Sequence, residues 1–411
     1  SDLEGIDVYD RVARPQNRKH RDGILQAVGH HQRNAGTPDE AQLALAGLVG
    51  LEDPPRPDVH AAVERCHEAG LRVIMVTGDH PRTAVAVARE VSIVRGPSPQ
   101  VIGGEALRGM APAALQLALD APEIVFARVS AEQKMLIVQA LQRKGEIVAV
   151  TGDGVNDAPA LKAADIGVAM GITGTEVTKE AATLVLTDDN FSSIVRAVEE
   201  GRTLYENIIK FVRFQLSTNI GAILTVLAAP FLGFATPFTA IQILWVNIIM
   251  DTFAAMAMAS LPPNPEVMLE KPRPRNEFII TRAMARTLFT CGIIMVAVLL
   301  GMLFWWTITT GGLTVRQLTV FFSTFVFLQF WNMFNAKGFE TRHSVFSCLR
   351  GCREFFLILL AIAVGQVLIV EFGGEVFRTE PLAWREWAVI IGSTSLIAVG
   401  GEIVRAIGRK R

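Results

Sequence analysis

Hydrophobic positions in this sequence fall into two regimes: short apolar runs set among polar and charged residues up to residue 205, and long, nearly uninterrupted apolar runs after it. In the first regime, 44–51 is a strand-like apolar run. It is followed by Glu52-Asp53-Pro54-Pro55-Arg56-Pro57, which excludes regular structure and reads as a stiff hinge. The spacing predicts an amphipathic helix over 58–69 closed by Gly70, then a β-rich run over 71–76 that ends on Thr77-Gly78-Asp79 and leads into a helix through Val91. The unit recurs. A strand at 124–127 precedes a helix at 133–143, a strand at 147–150 precedes Thr151-Gly152-Asp153-Gly154 and a helix at 158–164, and 166–169 and 182–186 read as further strands. Strands alternating with helices predict a Rossmann-like α/β domain whose parallel sheet is covered on both faces, with ligands outside the carboxyl ends of its strands. Both Thr-Gly-Asp turns fall at those ends. The opening stretch, 1–40, is polar, lacks a clear period and reads as the frayed end of another domain.

In the second regime, Asp251 is the only charged residue between Phe214 and Pro265, and further apolar runs follow at 288–310, 318–336, 355–370 and 387–404. About 20 apolar residues cross a bilayer core, so six membrane-spanning helices are expected. A helical run over 191–210 enters the first of them without a linker and suggests a stiff mechanical connection. Alternate loops are basic: Lys271, Arg273, Arg275, Arg282 and Arg286 in one, Lys337, Arg342, Arg350 and Arg353 in the next, and Arg405, Arg409, Lys410 and Arg411 at the end. The intervening loops carry only Arg316, Arg378 and Arg385 as basic residues. This asymmetry predicts a multi-pass protein of the cell membrane with the soluble domain and the C-terminus in the cytoplasm.

A net charge of −1, from 39 basic and 40 acidic residues, excludes the broad basic surface that nucleic acid requires, and no such partner is expected. The four cysteines do not complete a zinc site: Cys66 and Cys291 stand alone, and Cys348 with Cys352 has no second pair, so ordinary thiols are expected. Ser1–Asp10 is acidic and has no apolar core, so no signal peptide is expected, while Ser1 in place of Met suggests further sequence upstream. With no long tail after the last apolar run, calmodulin control at this end is not expected.

The chemistry concentrates in Thr151-Gly152-Asp153-Gly154-Val155-Asn156-Asp157-Ala158-Pro159. Glycines let the backbone turn tightly beside a phosphate, and two carboxylates at a strand end supply hard oxygen ligands for Mg²⁺. Taken alone, the run also fits a tight acidic turn before a helix. It resembles the hinge motif of P-type ATPases, members of the haloacid-dehalogenase-like phosphotransferases, and the resemblance covers nearly the whole chain. By that resemblance Asp153 holds catalytic Mg²⁺, Asn156 and Asp157 order the phosphate site, Thr77, Gly78 and Asp79 bind phosphoryl oxygens, and Lys134 neutralises their charge. Such a set suits phosphoryl transfer, which needs positioning and cationic stabilisation more than reactive side chains. Arg56 matches the family hinge, with a possible contact to nucleotide (ATP) or to the catalytic loops. The family's nucleophilic Asp-Lys-Thr-Gly-Thr segment does not occur in the chain. Under the resemblance, 1–42 is the end of a nucleotide-binding domain, 43–205 a phosphorylation domain without its phosphorylated aspartate, and 206–411 the transmembrane domain. The N-terminal half of the pump is the missing partner.

The apolar half suggests which ion moves. A carboxylate inside a span costs about 2.5–3.5 kcal/mol on insertion scales, which makes Asp251 a functional residue by default. Asn247 lies four residues earlier, on the same face of an α-helix, and Asn219 in the first span adds another oxygen. Such oxygens suit Ca²⁺, although polar side chains also join membrane helices by hydrogen bonds alone. The run from Gln242 to Thr252 resembles the sixth helix of plasma-membrane-type calcium pumps. Ala222 and Met250 stand where two-site pumps carry ligands, which implies one transported Ca²⁺. Gln329 fits the same pattern and fits interhelical hydrogen bonding equally well. Mn²⁺ remains an alternative ion. Asp188-Asp189-Asn190 reads as a helix N-cap and His30-His31 as a solvated loop. The rival functions are a catalytically inactive half-pump or regulatory subunit, and a membrane-tethered phosphatase, for which Asp7 and Asp10 are the early candidates but lack the Asp-x-Asp spacing.

Overall fold

The computed structural model describes residues 24–30, 44–51, 54–234, 236–274, 277–338 and 351–408. They divide into two compact units, Ser1–Val198 with Glu266–Asn276, and Glu199–Pro265 with Glu277–Arg411. The second unit therefore starts seven residues before the expected position 206, and the loop at 266–276 joins the first unit. Packing explains the loop's placement: Val267 and Met268 are buried with Ala62, Cys66, Ala69 and Val195.

In the first unit, β1 (Ile24–His30) pairs antiparallel with β2 (Ala44–Leu51), with an irregularity between Val28 and Gly29. The opening stretch thus holds a strand that its weak periodicity concealed. His31, Asp53, Asp7 and Asp10 lie outside the described residues. The helix expected at 58–69 is α1 (Val59–Glu68), whose buried stripe is Ala62, Val63 and Cys66. Next come β3 (Met75–Val76), α2 (Pro81–Glu90), β4 (Gln100–Gly103), α3 (Gly104–Arg108), α4 (Pro112–Ala118) and β5 (Ile124–Ala127). The chain continues through α5 (Ala131–Arg143), β6 (Ala149–Gly152), a 3₁₀ turn at Val155–Asp157, α6 (Ala158–Ala163), β7 (Ile166–Met170), α7 (Glu176–Ala181) and β8 (Leu184–Leu186). β4, α3 and α4 had no sequence signal because each is shorter than the two turns or alternating run that makes a period visible.

All pairings after β2 are parallel, as expected, but the sheet is in two pieces, ordered β3-β5-β4 and β6-β7-β8. In each piece the middle strand is the most buried: Ile124, Val125, Phe126 and Ala127 of β5 are all at or below 2% exposure. Among the described residues, β3 and β6 each have one edge without a strand partner. Truncating Phe126 to Ala removes the largest side chain of the β5 core and should cost about 3–5 kcal/mol. A denaturant titration of the chain that moves by less than about 1 kcal/mol would mean that this core can collapse around the gap.

The second unit is helical. The first helix, α8 (Phe191–Phe231), runs 41 residues without interruption, and the division between the units falls within it. The second expected span is α9 (Ala240–Leu244), a π-helical segment Trp245–Met250 and α10 (Asp251–Ala259). The others are α11 (Arg282–Thr310), α12 (Val315–Lys337), α13 (Arg353–Phe372) and α15 (Trp384–Gly408), with a short α14 (Gly374–Phe377) between the last two. Five of these helical segments are long and apolar enough to cross a membrane. The sixth, α12, has 23 residues and so reaches about 35 Å, but it carries Ser323, Thr324, Gln329, Asn332 and Asn335. These polar positions and its phenylalanines are buried among the other helices, so α12 meets protein rather than lipid and need not be apolar all round. Cys66, Cys291 and Cys352 are free thiols, and Cys348 lies outside the described residues.

Candidate functional site

Two Thr-Gly-Asp turns sit where the strands end. At β3, the Thr77 amide donates to the Phe126 carbonyl and Val129 N–H donates back to the Thr77 carbonyl, so β5 holds the turn from both sides. The Thr77 hydroxyl accepts from the Asp79 amide at 3.1 Å, and the Asp79 carbonyl receives Arg128 N–H. Immediately after β5, Ser130 and Gln133 form a reciprocal cap that starts α5, and this cap fixes Lys134 in the first turn.

Lys134 then reaches across to the second turn. Its ammonium lies 2.6 Å from Asp157 Oδ1, with both side chains four-fifths or more buried. The other oxygen of Asp157 accepts the backbone amides of Asp153 and Gly154 at 3.3 and 3.2 Å. Asp157 is therefore fully engaged. Gly152 is required behind it, because a Cβ there would lie 2.4 Å from the Asp157 Cβ.

Asp153 is exposed, and among the described residues its carboxylate makes no ion pair; Asn156 is exposed as well. Mg²⁺ characteristically takes one or two carboxylates and fills the remainder with water and phosphate oxygens. One free carboxylate at a strand end, beside a lysine, fits that demand. Arg56 is only half-exposed, and its guanidinium donates to the Asp189 backbone carbonyl.

In the helical unit, Asp251 is 6% exposed and its Oδ1 has no hydrogen-bond partner. Gln215 of α8 is the side chain that interacts with the carboxylate. Asn219 lies one turn after Gln215 and is half-buried. Asn247 does not share the burial of Asp251: it is exposed. Asn247 belongs to the π-helical segment Trp245–Met250, and Asp251 opens the α-helix that follows it. Gln329 is fully buried, yet neither its amide nitrogen nor its oxygen has a partner. The hydrogen bond that interhelical joining requires is thus not made. A buried polar group left so costs about 1–3 kcal/mol, which a ligand or water would offset. Among the described residues no three His, Cys, Asp or Glu side chains cluster.

A family model described as haloacid dehalogenase-like hydrolase matches residues 4–165, and one described as cation transporting ATPase, C-terminus, matches residues 235–407. The plasma-membrane-type calcium-transporting ATPase 5 of Oryza sativa subsp. japonica is 41% identical over 369 residues, which is 86% of this chain and 33% of that protein. The calcium-transporting ATPase type 2C member 1 of Homo sapiens is 40% identical over 381 residues, 92% of this chain and 41% of that protein. The chain belongs to the P-type cation-transporting ATPases. A calcium-transporting ATPase 1 of Bacillus cereus, 41% identical, has 43% of its length covered, so the chain spans from a third to some two-fifths of these relatives.

Two residues escaped sequence reasoning in this ATPase chain. Gln215 gave no signal beyond lying one turn before Asn219. Asp189 was grouped with a helix cap, and its neighbours do cap α8: Asn190 accepts Ser192 N–H at 2.8 Å and Asp188 accepts the Ser193 hydroxyl at 2.6 Å. Asp189 itself turns the other way, with φ +50°, and is 3% exposed. Its Oδ1 accepts Ile172 N–H at 2.9 Å, and its Oδ2 accepts both the amide and the hydroxyl of Thr173 at 2.8 Å. Burial pushes its carboxyl up, but the donors from Ile172, Thr173 and Gly171 outweigh it and hold the group at about 2, below its ordinary 3.8. A depressed carboxyl stabilises its surroundings fully above its ordinary value and loses that contribution as pH falls toward the depressed one. Protection of the Ile172 and Thr173 amides, corrected for intrinsic exchange, should therefore hold above pH 3.8 and decay as pH falls toward about 2. A decay centred near pH 6 would assign the protection to another group.

Proposed function

We propose that this chain is the C-terminal part of an ATP-driven calcium pump, contributing part of the phosphate site and the ion site. The carrying observation is the Lys134–Asp157 pair at 2.6 Å, which ties the helix that follows β5 to the second Thr-Gly-Asp turn across 23 residues of sequence. Relatives named calcium-transporting ATPases support the ion. Asp251 and Gln329, each with a buried oxygen lacking a partner, support its location. In this reading ATP phosphorylates an aspartate supplied by the N-terminal half. The open edges of β3 and β6 suit a strand delivering it, since each ends on one of the two turns.

Thr77 and Gly78 receive the phosphoryl oxygens, and Lys134 offsets their charge while Asp157 fixes the ammonium. Asp153 would hold Mg²⁺, which supplies charge neutralisation at the transferring group. Ca²⁺ enters from the cytoplasm and is bound by Asp251 with the Asn219 and Gln329 oxygens. Asn247 would join only after rotation of the π-helical segment. Continuity of α8 supports transmission of the phosphorylation state to these residues. The protein sits in the cell membrane with the α/β unit cytoplasmic.

Co-expression of this chain with an N-terminal half containing Asp-Lys-Thr-Gly-Thr should restore Ca²⁺-dependent ATP hydrolysis. Hydrolysis that depends on Mn²⁺ and ignores Ca²⁺ would reassign the ion, and none with either would leave a regulatory subunit.

A further inference from the structure

We infer that Asp189 is a positioning residue for Asp153, acting through the loop from Gly171 to Thr175. It rests on the reading of Asp153 as the Mg²⁺ carboxylate. The loop leaves β7 and is folded back tightly: a Cβ on Gly174 would lie 1.9 Å from the Met170 carbonyl, and the Gly171 amide donates to the Leu186 carbonyl at 2.8 Å. Asp189 takes three donors from its middle, two amides and one hydroxyl, at 2.8–2.9 Å. At the loop's far end, Thr175 N–H donates to the Asp153 carbonyl at 3.1 Å, while the buried Thr178 hydroxyl donates to the Thr175 carbonyl at 2.6 Å and lies 3.4 Å from that of Asp153.

Asp153 lies in an exposed turn just after the last β6–β7 pair, Gly152 with Ala169, and its amide donates to Asp157. Its carbonyl is therefore tied to the loop by the Thr175 amide, and that tie is only as firm as the loop. A buried carboxylate is suited to this task because it accepts several N–H groups at once without offering a competing donor. The left-handed backbone at Asp189, which Asp and Asn tolerate better than other residues, aims the side chain back at the loop. Arg56 donates to the Asp189 carbonyl, so the segment after the Pro54-Pro55 hinge is fastened to the same residue. Asp189 thereby links the hinge segment to the backbone of the Mg²⁺ carboxylate.

The test compares Asp189→Asn with wild type on the whole chain in detergent. Asn keeps size and backbone tolerance but replaces one acceptor with an NH₂ that faces donors. Expected are amide exchange at Ile172, Thr173 and Thr175 faster by about tenfold or more and an unchanged melting temperature for the remaining amides. Mn²⁺ affinity, read by electron paramagnetic resonance, should weaken by several-fold. Thr173→Val, which removes one of the three donors, should give a smaller loss. Unchanged Thr175 exchange, or unchanged Mn²⁺ affinity beside lost Ile172 protection, overturns the proposal. Asp153→Asn is the separate control: if it leaves Mn²⁺ binding intact, the metal reading has failed, while Thr175 exchange still decides the role of Asp189.

Discussion

In the assembled pump, Asp251→Asn abolishes phosphorylation by ATP at Ca²⁺ concentrations that saturate the wild type, while the protein is made and inserted normally. The substitution keeps size and an oxygen able to meet Gln215, and removes only the charge. Loss of one charged ligand should weaken Ca²⁺ binding by on the order of 100-fold, equivalent to about 2.8 kcal/mol at 1.4 kcal/mol per decade. Stability should move the other way. A carboxylate inside a membrane helix costs about 2.5–3.5 kcal/mol, so removing it relieves the bundle if the residue has no structural duty. The two directions separate an ion ligand from a structural residue. The measurement is acid-stable phosphoenzyme against free Ca²⁺, with thermal stability on the same preparations. Unchanged Ca²⁺ dependence would remove Asp251 from the site, and a joint fall in stability and phosphorylation would make it structural.

Lys134→Met should lower the phosphorylation rate about 10²–10³-fold, the usual effect of removing one preorganised electrostatic partner of a transferring group. The methionine preserves the aliphatic stem. Asp157 keeps its bonds to the Asp153 and Gly154 amides, so the turn should persist and the stability loss should stay below the roughly 3–5 kcal/mol of breaking a fully buried pair. Lys134→Arg should recover part of the rate, because charge is restored but a planar fork replaces a compact ammonium. Single-turnover phosphorylation with labelled ATP reads the effect. Equal rates for the Met and Arg variants would mean that Lys134 serves only to hold Asp157.

The α/β character of the first half was legible because its strands and helices announce themselves by period, and the two Thr-Gly-Asp turns fell at strand ends as expected. The continuous α8 was legible for the same reason, since no proline falls between 191 and 229, and Gly201 and Gly221 stand singly. The apolar run at 318–336 was legible as well, but not the burial of its polar residues among the other helices. Spacing did not show that Asn247 is exposed while Asp251 is buried, because burial depends on which helices pack around the segment.

The sequence by itself determined the residue types of the phosphate site, their attachment to strand ends, and the isolation of one carboxylate in a long apolar stretch. These are local properties, fixed by periodicity and by the cost of a charge in hydrocarbon. Tertiary structure alone decided that Lys134 meets Asp157, that Gln215 meets Asp251, that Gln329 is buried without partners, and that Asp189 leaves its cap to hold the loop behind Asp153. Each of these joins segments between 16 and 36 residues apart, or depends on which face of a helix the bundle covers, and no local preference encodes that distance.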